Sequence, residues 1–177
     1  MVMPTEAVTE AVEVENSENR ADVAMGIVKT NMLWSAGAGV LPIPLVEFVA
    51  ITAVQVKLIK ELSEHYDVPF RKDLAKSSVI ALLSSLGSVT IGKAMATSSL
   101  RAIPVIGPLV AALSLPAISA GVSYAVGRVF ISHYEMGGTL LDFDPAAVKD
   151  HFKSMFDEGV KKAAKQGAGG KAKPANA

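Results

Sequence analysis

Cysteine is absent from all 177 residues. A disulfide framework, thiolate metal sites and thiol catalysis are therefore excluded. No His-Glu-x-x-His helix, nucleophile elbow or glycine-rich strand-to-helix turn is present, and Gly87 to Lys93 and Gly121 to Arg128 match no phosphate-loop spacing. Charge is absent from two long stretches. The first runs from Met32 through Leu41-Pro-Ile-Pro-Leu-Val46, and the second tip reads Ala102-Ile-Pro-Val-Ile-Gly-Pro-Leu-Val110. A solvated turn carries Asn, Asp, Ser or charge to satisfy its open backbone groups. These tips, with Leu41, Pro42, Ile43 and Pro44 in one and Ile103, Pro104, Ile106 and Pro108 in the other, need a cover: a bilayer or a neighbouring subunit.

What is present is apolar. Half of the residues are hydrophobic and the formal net charge is zero, enough for one domain with a core. That neutral total is polarised. Residues 1–22 hold six acids against Arg20 alone, whereas residues 161–177 hold five lysines and no acid. Both ends read as solvated tails, an acidic one at 1–17 and a basic one at 166–177 that flank a helical domain at 18–165. Lysines without interleaved aromatics give no case for nucleic acid. The N-terminus shows no basic region followed by an apolar core, so no secretory signal is expected.

Between the tails the spacing predicts helices throughout. Val23, Ile27, Val28, Met32 and Leu33 recur at helical intervals and predict a first helix over 18–39. Pro44 suits the first turn of a second helix reaching Tyr66, and Asp67-Val-Pro69 opens a third that runs to about residue 100. A fourth is expected from Pro108, kinked at Pro116 and stopped at Gly137-Gly138. Asp144-Pro145 reads as cap and first turn of a fifth, whose Val148, Phe152, Met155, Phe156 and Val160 form one apolar face for packing against the bundle. The expected fold is all-α: two similar αα-hairpins with apolar Pro-rich tips plus a C-terminal amphipathic helix.

The halves echo one another. Leu41-Pro-Ile-Pro-Leu-Val46 answers Ile103-Pro-Val-Ile-Gly-Pro-Leu-Val110, and Ser63-Glu-His-Tyr66 answers Ser132-His-Tyr134. If both hairpins point the same way, their bases gather Lys29, Lys57, Lys60, Arg71, Lys72, Lys76 and Arg128. That is the positive-inside pattern of segments entering a membrane from the cytoplasm. Length tempers the inference. Ala102 to Gly127 is free of charge, but the partner runs are interrupted by Glu47, Lys57 and Lys93, and a spanning helix needs roughly 20 apolar residues.

The run Val54-Gln-Val-Lys-Leu-Ile-Lys-Glu-Leu-Ser-Glu-His-Tyr66, the Ile-Pro tips, Ala125-Val-Gly-Arg-Val-Phe130 and Gly137-Gly-Thr-Leu-Leu-Asp-Phe-Asp144 together resemble the YcjF-like domain-of-unknown-function family. The resemblance covers about 24–160. It implies a helical, membrane-associated bacterial domain, found alone or beside Era-like GTPase domains, and supplies no catalytic residues. No GTPase part is expected in this chain, since no phosphate-loop spacing is matched.

Two residue groups stand out. His65 and His133 occupy equivalent helix ends beside acids, where dipole complementation competes with a shared metal or pH-sensing site, and the former is favoured. Glu47, in the first turn of an apolar helix, is expected to form a buried ion pair with Arg101 or Lys93. No catalytic residue, metal or cofactor is expected. The reading is a non-enzymatic scaffolding or partner-binding protein on or in the inner face of the bacterial membrane, with membrane lipid, a second copy and a GTPase or other protein as partners. The alternative is a soluble helical homo-oligomer that buries its tips between subunits and binds a protein or lipid.

Overall fold

The computed structural model describes residues 5–38, 44–100 and 115–169, with side chains placed at 13, 15–36, 49–86 and 116–165. The described chain is all-α. Its helices are α1 (Thr5–Ala38), α2 (Pro44–His65), α3 (Lys72–Leu100), α4 (Leu115–Glu135) and α5 (Lys149–Gly169). Pro44 opens α2, where its missing N–H forfeits no intrahelical bond. Pro116 likewise stands in the first turn of α4 rather than at an interior kink.

The organising element is α4, whose apolar residues Val122, Ala125, Val126, Val129, Phe130 and Ile131 are all buried. Its neighbours surround it: α1 and α5 pack most extensively, α2 less so, and α3 only sparingly among the described residues. Glycines set the closest approaches. A Cβ on Gly159 would sit 3.0 Å from the Cα of Gly121, and one on Gly127 would collide with the Val28 side chain of α1. The glycines of α4 therefore serve helix packing. Each fully buried Phe or Leu contributes about 1.5–3 kcal/mol of transfer free energy, and Phe130, Phe152, Leu58, Leu62 and Leu82 are all in that condition.

Directions follow from cross-helix bonds. Ser35 Oγ donates to the Ser119 carbonyl (2.8 Å), and Gly127 lies against Val28, so α1 and α4 are antiparallel. Gln55 Nε2 donates to Ser123 Oγ (2.9 Å), and Ser63 Oγ shares a hydrogen bond of 2.9 Å with the Tyr134 hydroxyl, which sets α2 parallel to α4. Both hairpins therefore point the same way. Their base ends also close alike. After α2, Val68 N–H bonds Ser63 O (2.8 Å) around Asp67 at φ 57°; after α4, Gly138 N–H bonds His133 O (2.9 Å) around Gly137 at φ 81°. Each is a Schellman cap with a left-handed residue at its turn.

Two boundaries differ from expectation. Helix α1 begins at Thr5, not near 18; frequent Ala and Glu favour the helix there. Asp144 does start a turn, its Oδ1 accepting Ala146 N–H at 2.8 Å, but the regular helix begins at Lys149. Phe152, Phe156 and Val160 are buried against the bundle as their spacing predicts. The α4–α5 connector plugs into it through Phe143, stacked on Phe130 with ring centroids 4.3 Å apart.

Candidate functional site

The tip residues Leu41, Pro42, Ile43, Ile103, Pro104, Ile106 and Pro108, together with Arg101, lie outside the described residues; Pro44, Glu47 and Lys93 are placed only as helical backbone. The expected Glu47 pair with Arg101 or Lys93 therefore falls outside the described side chains. Beside the tips, the described residues expose large apolar groups. Near the end of α1, Leu33 is 73% and Trp34 67% exposed, and near the start of α2, Val49 is 64% exposed. A helix face that leaves an indole and a leucine in water is unusual in a monomer, and an amphipathic indole suits a membrane–water interface.

At the opposite end the two hairpin bases meet. Tyr66 and Tyr134 lie with ring centroids 5.9 Å apart, and Tyr66 donates to Glu135 Oε1 at 3.1 Å. Arg20 lies over the Tyr66 ring at 5.3 Å and bridges to Asp67 at 3.0 Å. Burial pushes both phenols up to about 12; Glu135 adds to the rise at Tyr66, while the Ser63 bond opposes it at Tyr134. Tyr66 donates to Glu135, while in the Ser63–Tyr134 pair either hydroxyl can be the donor. The two histidines go separate ways: His65 Nε2 is 2.8 Å from the Arg20 carbonyl, and His133 Nε2 is 2.8 Å from the Thr139 carbonyl. Among the described residues no group of three or more His, Asp or Glu could hold a metal.

A polar column runs from the surface, at Lys57 and Glu61, into the interior. Asn31 Nδ2 donates to Glu61 Oε2 (2.6 Å), and Lys57 pairs with the other oxygen of that carboxylate (2.5 Å); Ser35 and Gln55 make the bonds to α4 given above. In sequence the signal is faint: Asn31 and Ser35, like Ser119 and Ser123, stand four apart on otherwise apolar faces. Such a column fixes which helix faces meet. A further network ties α5 to α4, with Lys162 Nζ 2.7 Å from both Glu158 and the Tyr124 hydroxyl. Lys162 holds the Glu158 carboxyl below its ordinary range.

Four of the seven basic residues expected at the bases converge on one feature. A groove of about 590 Å³ between α2 and α3 has Val49, Ala53, Val56, Phe70 and Ile80 in its lining, with Lys57, Lys60, Lys72 and Lys76 around them. Lys57 and Lys60 are tied along α2 to Glu61 and Glu64. Lys72 and Lys76 have no ion pair among the described residues. Standing four apart on one helix, they repel each other by about 0.2–0.5 kcal/mol. Arg128, by contrast, turns inward, its Nη1 3.8 Å from Met25 Sδ.

No described helix is long and apolar enough to cross a membrane. No solved structure is significantly similar to the chain. Magnetosome membrane protein 22 of Magnetospirillum gryphiswaldense is 34% identical over 157 residues, which cover 89% of this chain and 80% of that protein. The model of a domain of unknown function, DUF697, matches residues 4–158. That match takes in both hairpins, the polar column and the α2–α3 groove, and the chain belongs to the DUF697 family.

Proposed function

We propose that this chain is a non-enzymatic, membrane-associated protein that docks its tip end on the inner face of a bacterial membrane and serves there as a scaffold or a partner-binding module. The observation that carries the reading is its similarity, across 89% of its length, to a protein named for a membrane. The exposed Leu33, Trp34 and Val49 beside the tips support the end by which it docks. Packing on the bilayer, rather than spanning it, fits the described helices, none of which is long and apolar enough to cross. With both bases at one end, a GTPase or other protein partner would meet the surface that the membrane leaves uncovered.

Fractionation of cells that express the full chain tests this. The protein should sediment with membranes, stay there through a high-salt wash and be released by detergent, because contact through apolar area is not screened by salt. Recovery of the whole protein in the aqueous fraction, monodisperse without detergent, rejects membrane docking and favours the oligomer that buries its own tips.

A further inference from the structure

The groove between α2 and α3 changes polarity along its length. Helix α2 runs from the tip end to the base, and α3 leaves from the base. Toward the tip the lining is Val49, Ala53, Val56 and Ile80; toward the base it is Lys57, Lys60, Lys72 and Lys76, with Phe70 in the connection between the helices. The described lining holds no acidic residue. Glu61 and Glu64 engage Lys57 and Lys60 from outside it, whereas Lys72 and Lys76 have no ion pair among the described residues. Val49 is 64% and Ile80 38% exposed, so the apolar half is open to solvent. The volume of about 590 Å³ is that of a small-ligand site. From Val49 to Lys60 the groove follows α2 for roughly 16 Å at 1.5 Å per residue. That is about half of the roughly 30 Å hydrocarbon core of a bilayer, and hence the depth of one leaflet's chains.

We propose that this groove holds one acyl chain of an anionic membrane phospholipid, with the chain between Val49 and Ile80 and the phosphate between Lys72 and Lys76. The phosphate supplies the anion that these two lysines lack and relieves their mutual repulsion. An acidic helix from another protein would call for cations along both edges of its whole length. Here the cations are confined to one end, and that polarity suits an amphiphile. The order also matches the membrane, an argument that rests on the proposed docking by the tip end. A lipid of the contacted leaflet has its chains toward the tips and its headgroup toward the bases, so it enters through the mouth beside Val49 without reversing.

Titration calorimetry of the full chain with monomyristoyl phosphatidylglycerol, held below its micelle concentration, tests the groove without a bilayer. One site should fill. Lys72→Glu/Lys76→Glu, which reverses the charge, and Ala53→Trp, which fills the apolar half, should each weaken binding at least tenfold. All three positions are exposed, so circular dichroism and melting should not change. Monomyristoyl glycerol, which lacks the phosphate, should bind the wild type at least tenfold more weakly and should not distinguish it from the lysine variant. Sedimentation with vesicles of phosphatidylethanolamine and phosphatidylglycerol at high salt reports tip docking separately, and both variants should keep it. Absence of a calorimetric site, or variants that bind like wild type, overturns the proposal whatever the vesicles show. A site that fills in a chain that ignores vesicles upholds the groove and rejects docking. Myristate that binds as tightly as the phospholipid overturns the assignment and gives the groove to a free fatty acid. Binding of a synthetic glutamate-rich helical peptide in place of lipid, lost in the lysine variant, overturns it in favour of a protein partner.

Discussion

Helices α4 and α1 solve the same problem in opposite ways. Of α4's described residues from Ala117 to Ile131, only Ile118 and Arg128 fall short of full burial. Helix α1 is longer and passes through three environments. Its described side chains before Ala21 are exposed, its middle packs through Ala24, Val28 and Met32, and its end exposes Leu33 and Trp34. Stability therefore resides along α4 and its contacts, among them the buried middle of α1. A residue's consequence here depends on which neighbour it meets more than on which helix it belongs to.

The sharpest way to break that contrast is to damage each side of it. Phe130→Ala, which empties a site between Phe143 and Tyr134, should cost about 3–5 kcal/mol in denaturant unfolding. Gly127→Ala should cost about 1–3 kcal/mol, because Val28 must give way to the new methyl group. Glu15→Ala, at an exposed position of α1, should stay within about 0.5 kcal/mol. Comparable losses at Glu15 and Phe130 would show that the first half of α1 is part of the core.

A smaller effect sharpens the comparison at the base, where α2 and α4 end together. Tyr66 and Tyr134 have their phenols raised from the ordinary 10.0 to about 12. Between those values the unfolded chain has lost protons that the folded chain keeps, so stability is full below about pH 10 and falls as pH climbs toward 12. Urea midpoints measured across that window should decline, and Tyr134→Phe should flatten the decline. A wild-type midpoint that does not move would mean both hydroxyls are hydrated.

Much of this was legible in the sequence because it rests on period and punctuation. Pro44, Gly137 and the Phe152-Phe156-Val160 face each name a local geometry that the fold keeps. The Ser63-Glu-His-Tyr66 and Ser132-His-Tyr134 echoes also landed side by side, since both hairpins point one way. Other features depend on distant partners. Nothing local says that Lys72 and Lys76 will face Lys57 and Lys60 across an apolar floor, because that requires the angle at which α3 leaves α2. Nor does composition separate the acidic start of α1 from a solvated tail, since charge-rich Ala-Glu-Val sequence makes good helix and poor core at once. The Glu47 pair and the tips remain expectations of the sequence.

Trp34 is the sole tryptophan and stands on the end of α1 proposed to meet the membrane, so its fluorescence reports on docking without any label. In water the exposed indole should emit at long wavelength and be quenched freely by iodide. Addition of vesicles made from phosphatidylethanolamine and phosphatidylglycerol should shift the emission to shorter wavelength and protect it from iodide, at high salt as well as low. Emission and quenching left unchanged by vesicles would contradict docking by the tip end.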